Sequence, residues 1–156
     1  MCYNYPMSTK NFTSYETATE KLIKQAATLD VQPHIVRALR ETFKNPKTYL
    51  KVFGEKRPDN LRNWSTSYCE VASYYIYVNT GGAQRWELVN NPIHWWLERK
   101  SSGEIFDITY DQFLSLEPDF YTLYKLPAAA DPEWAQDKHK LYTRAMILGK
   151  CAGLEP

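Results

Sequence analysis

The segment CEVASYYIYVNT, residues 69 to 80, most tightly constrains how this 156-residue chain can fold. Val71, Ala72, Tyr75, Ile76 and Val78 make a helix there apolar nearly all round, so it must lie at the centre of the fold. Gly81-Gly82 ends it. Just upstream, Ser67 and Glu70 form an S-x-x-E capping box that predicts Ser67 as the N-cap. Cys69 then falls in the first turn, where backbone N–H groups and the helix dipole favour a thiolate. The central element of the chain therefore opens on a candidate nucleophile.

The segments on either side fill out an α+β domain spanning 1-156. Residues 1-12 read as a tail or strap. Thr13 and Glu16 make a second capping box, and Ala18, Leu22, Ala26 and Leu29 predict an amphipathic helix over 14-29. Asp30 and Pro33 open a second helix with Val36, Leu39 and Phe43 as its buried stripe, and Asn45-Pro46 stops it. His34, near its start, reads as a surface or packing residue. The pattern from Thr48 to Phe53 fits either a short strand or a helical turn. A charged loop holding Pro58 follows, from Gly54 to Arg62.

After the central helix the period becomes two. Arg85 to Val89 reads as a strand, Asn90-Asn91-Pro92 as a turn, and Ile93 to Arg99 as a second strand. Ser101-Ser102-Gly103 is a hairpin turn, and Glu104 to Thr109 the returning strand. Asp111 to Leu116 starts a short helix or turn, and Pro118 to Pro132 reads as a long ordered loop. Asp131 or Pro132 begins a last helix that runs to Leu148, with Gly149 as its C-cap.

The hairpin carries a geometric test. Pairing Lys100 with Gly103, or Arg99 with Glu104, sets Trp96 opposite Asp107 and His94 opposite Thr109. His94 and Asp107 then share a face as diagonal neighbours, about 7 Å apart at Cα. A slip of one residue would send them to opposite faces. On the shared face, Asp107 accepts a hydrogen bond from one imidazole nitrogen and leaves the other to face the sulfur of Cys69. Asn63, six residues before Cys69, offers a side-chain amide for an oxyanion, alongside the Cys69 N–H. Trp96 is on the His94 face and Trp95 on the other, so Trp96, Thr109 and Gln112 are the candidate substrate-binding residues.

Composition excludes several other functions. A net charge of +1 with scattered basic residues argues against nucleic acid and against an anionic membrane surface. Cys2, Cys69 and Cys151 are far apart, and with His34, His94 and His139 they show no metal-ligand spacing, so neither metal nor cofactor is expected. The odd cysteine count fits a reducing compartment. The absence of a long apolar run, and of a charged start with an apolar stretch at MCYNYPMSTKNF, leads to the expectation of a cytoplasmic protein.

The residues also resemble known proteins. An amide residue six positions before a cysteine that opens a central helix, then a histidine strand, then an acidic or amide residue on the next strand, resembles the papain-like thiol enzymes. More closely, N-x(5)-C-x-V-A-S-x-x-x-Y, then H-W-W-L, then G-x-I-F-D-I-T-x-x-Q-F is similar to the YunG-like family of bacterial and phage proteins. The similarity runs from Asn63 to Phe113, about a third of the chain. Ser67-Tyr68 stands where that family carries Gly-His. The resemblance implies a papain-like fold, with the cysteine helix packed on a small antiparallel sheet. It implies a Cys69-His94-Asp107 triad acting on a protein or small-molecule amide or ester, in the host cytoplasm for a phage-encoded chain. The competing expectation is a non-catalytic factor that binds a host protein through aromatics between Pro118 and Trp134. Cys2 and Cys151 read as incidental; removal of Met1 would expose Cys2 as an N-terminal nucleophile, a remote alternative because an end of the chain shows no oxyanion partner.

Overall fold

The computed structural model describes residues 14–61, 63–113, 119–130 and 132–154. The expected tail over 1-12, Cys2, Thr13, Arg62, Leu116, Pro118 and Asp131 lie outside the described residues. Within them the protein is mixed α+β, with five α-helices and a four-stranded antiparallel sheet.

Helix α1, Tyr15–Thr28, begins where Ser14 Oγ accepts a hydrogen bond from the Thr17 N–H at 3.1 Å. The cap is therefore Ser14. Ala18, Leu22 and Ala26 form its buried stripe. Helix α2, Pro33–Phe43, starts on the proline, whose fixed φ suits a first helical position. Asp30 does not cap it, since its backbone turns through φ 57 and Gln32 occupies the N-cap position. Val36, Leu39 and Phe43 are fully buried. Asn45-Pro46 both stops α2 and starts α3, Pro46–Phe53, because Asn45 accepts from the Lys47 N–H at 2.9 Å. The ambiguous stretch from 48 to 53 is thus helical. Gly54, at φ 75, closes it by donating its N–H to Leu50 O.

Helix α4, Cys69–Asn79, is the central one. Its N-cap position is Tyr68, with no side-chain cap, and Ser67 sits at φ 80. The expected capping box does not form, because a left-handed residue one step further out cannot present its hydroxyl as an N-cap. Cys69 becomes the first helical residue. What fixes the entry to α4 is aromatic packing: the buried Tyr68 ring stacks on Phe43 at 4.2 Å and meets Tyr49 and Phe53.

The last helix, α5, spans Pro132–Cys151 and runs straight through Gly149. Gly149 is a contact residue, since a Cβ there would lie 2.3 Å from Tyr75 Cε2 on α4. The helix stops three residues beyond its expected end. Gly153, at φ 74, donates to Lys150 O, and Leu154 donates to Gly149 O at 2.9 Å, which together make a Schellman motif.

The strands are β1, Trp86–Asn91; β2, His94–Arg99; β3, Ile105–Phe106; and β4, Leu126–Pro127, in the order β3-β2-β1-β4. β1 extends through Asn90 and Asn91, pairing Asn91 with His94, so the turn is Pro92-Ile93. β3 is much shorter than the expected return strand. It pairs Leu97 with Phe106 and Glu98 with Ile105, the register that sets Asp107 on the His94 face. The segment expected to be loop throughout contains β4, which pairs with β1 through Val89↔Pro127 and Asn90↔Leu126.

The two faces of the sheet have different neighbours. Trp86, Leu88, Trp95, Leu97 and Phe106 join the main core with α4. His94 and Trp96 face the other side, under Phe113, Phe120 and Tyr121. Among the described residues no helix is long and apolar enough to cross a membrane.

Candidate active site

His94 opens β2 and Asp107 follows β3, so the hairpin register brings them together. Nε2 of His94 lies 2.6 Å from Asp107 Oδ2, with both side chains almost fully buried. The carboxylate has further donors. Tyr121 donates its hydroxyl to Oδ2 at 2.7 Å, and Thr109 donates its N–H to Oδ1 at 3.2 Å and its hydroxyl at 3.4 Å. A carboxylate that accepts from Nε2 assigns the neutral ring its proton there. Nδ1 is left as an acceptor, and it is buried with no hydrogen-bond partner. Burial, and then the adjacent Asp107 charge, push the Tyr121 phenol well above its ordinary range, so Tyr121 stays a donor.

The imidazole is boxed by rings. Trp96 stacks beside it at 6.0 Å, Phe113 meets it edge-on at 4.9 Å, and Phe120 lies at 5.7 Å. Trp96 is itself fully buried. It backs the imidazole and does not form an open wall, and Thr109 is committed to Asp107.

The loop ahead of α4 is organised by a buried charge cluster. Arg40 on α2 is fully buried and forms a two-pronged ion pair with Asp111, both contacts at 2.8 Å. Its remaining donors reach Thr19 Oγ1, Ile108 O and Tyr15 O, which satisfies all five guanidinium N–H groups. Tyr15 lays its ring 4.0 Å from the guanidinium carbon and donates its hydroxyl to Arg40 O. Burial opposes the cation, but the Asp111 hydrogen bonds and charge outweigh it and hold the Arg40 pKa above its ordinary value.

Asn63 belongs to this cluster. Its amide donates to Asp111 O at 2.8 Å and Asp111 Oδ2 at 3.2 Å, and its Oδ1 accepts from the Ser65 N–H and hydroxyl. Both amide hydrogens are committed, so Asn63 anchors the cysteine loop and does not offer a free oxyanion donor. Ser65 also donates to Asp111 Oδ1 at 3.1 Å. Through these bonds the segment from 107 to 113 touches both halves of the expected site: Asp107 and Phe113 meet His94, while Asp111 holds the loop that leads to Cys69.

Cys69, the first residue of α4, is fully buried among core residues, and it is disulfide-bonded. Cys151 is half-buried and free. The expectation of reduced cysteines throughout therefore does not hold at Cys69. Gln112 is 3 % exposed, and neither atom of its side-chain amide has a hydrogen-bond partner. Among the described residues no cluster of three or more His, Cys, Asp or Glu side chains is placed to hold a metal.

Sequence reasoning missed Arg40 and Asp111. Arg40 follows Leu39 at the margin of the α2 stripe, and its partner lies 71 residues away. The one available signal is that Arg40 sits four residues from Val36 and three from Phe43, on the buried side of the helix. No protein-family model, curated protein or solved structure matches the chain.

Proposed function

We propose that this protein is a thiol-dependent hydrolase or acyl transferase acting at an amide or ester carbonyl, on a papain-like arrangement of helix and sheet. The observation that carries the reading is the buried His94–Asp107 pair, whose second imidazole nitrogen has no partner. A histidine oriented by a carboxylate through one nitrogen, with the other left as an acceptor, is arranged to take a proton from a nucleophile. Cys69, at the first position of α4, is the nucleophile of this reading. The Asn63 and Ser65 bonds to Asp111 support it by tying the cysteine loop to the segment that carries Asp107.

A low-molecular-weight or protein dithiol first reduces the Cys69 disulfide by thiol–disulfide exchange, being oxidised to its own disulfide while Cys69 and its partner cysteine are released as thiols. His94 Nδ1 takes the thiol proton, and the sulfur attacks the carbonyl carbon, moving the C=O π pair onto oxygen. The helix dipole at the start of α4 favours this negative charge. The tetrahedral adduct collapses, the bond to the leaving amine or alcohol breaks, and Nδ1–H supplies that group's proton. Water or an acceptor nucleophile, deprotonated by Nδ1, then attacks the thioester. The C–S bond breaks and the acyl group leaves. Asp107 stabilises the imidazolium, and Tyr121 and Thr109 position Asp107.

The test is alkylation by iodoacetamide after reduction, read by peptide mass spectrometry. Cys69 should react at least tenfold faster than Cys151 near neutral pH, and His94→Ala should remove the difference. A buried, unactivated Cys69 reacts more slowly than the half-buried Cys151, and that order of rates would overturn the reading.

A second reading, a factor that binds another protein, is favoured by one observation. Leu123, Tyr124 and Leu126 are 51 %, 73 % and 51 % exposed in one stretch. On that reading Leu123→Ser with Leu126→Ser abolishes function in the cell while the Cys69 reactivity is unchanged.

A further inference from the structure

The Gln112 side chain combines near-complete burial with a donor and an acceptor that both lack partners. Buried polar groups are almost always satisfied by protein, by ordered water or by a bound group, so a buried amide without a protein partner calls for a donor and an acceptor from outside the chain. The backbone around it is held by hydrogen bonds. Thr109 N–H is bonded to Asp107, and Gln112 N–H donates to Thr109 O at 3.0 Å, so 107 to 112 is one tight hook. The chain neighbours of Gln112 reach both halves of the candidate site. Asp111 accepts from Asn63 and Ser65 ahead of Cys69, and Phe113 places its ring 4.9 Å from the imidazole.

We propose that Gln112 is the residue that recognises the substrate, and that it selects a carboxamide over an ester or an acid. This inference rests on the thiol-enzyme reading given above. The chemistry follows from what a side-chain amide demands. Its N–H₂ needs an acceptor and its carbonyl needs a donor. A primary or secondary amide supplies both, through its C=O and its N–H. An ester and a carboxylate supply only acceptors and leave the Gln112 carbonyl unsatisfied, and an alkylammonium supplies only donors. Sites that hydrogen-bond a substrate group reject analogues lacking it, because their own buried polar atoms are then stranded. His94 Nδ1 is likewise buried without a protein partner, and it is the acceptor that the proton-transfer step uses. Gln112 thereby takes over the amide-side function for which Asn63, bonded to Asp111, has no hydrogens left.

The experiment compares two neutral alkylating agents that differ only in this group, iodoacetamide and ethyl iodoacetate. Rates at Cys69 in the reduced full chain are divided by rates at Cys151, which cancels the intrinsic reactivity of each reagent. The expected amide-to-ester ratio at Cys69 is about tenfold or more above that at Cys151, and Gln112→Met brings it to the Cys151 value. A second measurement needs no variant. Acetamide should slow ethyl iodoacetate labelling of Cys69, and ethyl acetate at the same concentration should not. Fast but unselective labelling of Cys69, or selectivity that survives Gln112→Met, overturns the role of Gln112 and leaves the thiol-enzyme reading standing. Slow labelling of Cys69 by both reagents overturns both. A water molecule satisfying Gln112 predicts no acetamide protection, which counts against the proposal.

Discussion

Removing Asp111 should cost this protein a large part of its stability. Arg40 bears the consequence, because its guanidinium is entirely buried and two of its five donors end on the Asp111 carboxylate. Asp111→Ala strands that cation and also leaves Asn63 and Ser65 each short of a carboxylate acceptor. Breaking a buried ion pair by deleting one partner costs about 3–5 kcal/mol, most of it from the uncompensated charge. In a chain of this size each kcal/mol moves the melting temperature by about 2–4 °C, so the expected fall is roughly 6–20 °C. The assay is urea and thermal unfolding followed by far-UV circular dichroism. The double variant Arg40→Met with Asp111→Leu removes both charges and should be less damaged than the sum of its parts, by about 2 kcal/mol in a double-mutant cycle. Single variants that each lose under about 1 kcal/mol, with losses that simply add, would refute the argument that this pair is a closed, mutually dependent unit.

Two other outcomes follow from the packing and the phenols. Gly149→Ala should destabilise by about 1–3 kcal/mol in thermal unfolding, against the gain that alanine normally brings inside a helix, because the new methyl meets the Tyr75 ring. Burial raises the Tyr15 and Tyr68 phenols above their ordinary value of 10.0. The folded chain then keeps protons that the unfolded chain releases, so their contribution is complete below pH 10 and is lost as pH climbs beyond it. The unfolding free energy from urea titrations should fall above pH 10 by up to about 1.4 kcal/mol per pH unit for each raised phenol, and Tyr15→Phe with Tyr68→Phe should remove those two shares of the slope while that of the other raised phenols, Tyr121 among them, remains.

What sequence could and could not convey follows the range of the interactions. The β2–β3 register is a local matter of turn length and alternation, so parity alone brings His94 and Asp107 to one face. The buried stripes of α1 and α2 are local as well. Arg40 looks like an ordinary helix cation until Asp111, 71 residues on, is folded against it. Asn63 has the spacing of an oxyanion donor, but spacing does not reveal that Asp111 takes its hydrogens. Gly149 reads as a stop signal because glycine ends many helices, and only the α4–α5 crossing shows that its lack of a side chain makes room for Tyr75. The Ser67 capping box fails for a similar reason. Stacking of Tyr68 on Phe43 sets the helix entry, and the local motif gives way to tertiary packing.

The borders of the sheet bear on how this protein can meet others. β3 and β4 form its two edges, and each is only two residues long. At one, Ile105 O already accepts from Gln25 on α1 at 2.7 Å. At the other, Pro127 has no N–H to give. Among the described residues, β3 and β4 themselves therefore offer few open main-chain groups for an incoming strand, although each covers only two of the six residues of the strand it borders. At β3 and β4 themselves, short length, the Gln25 cap and Pro127 work against the strand-to-strand pairing that longer open edges invite.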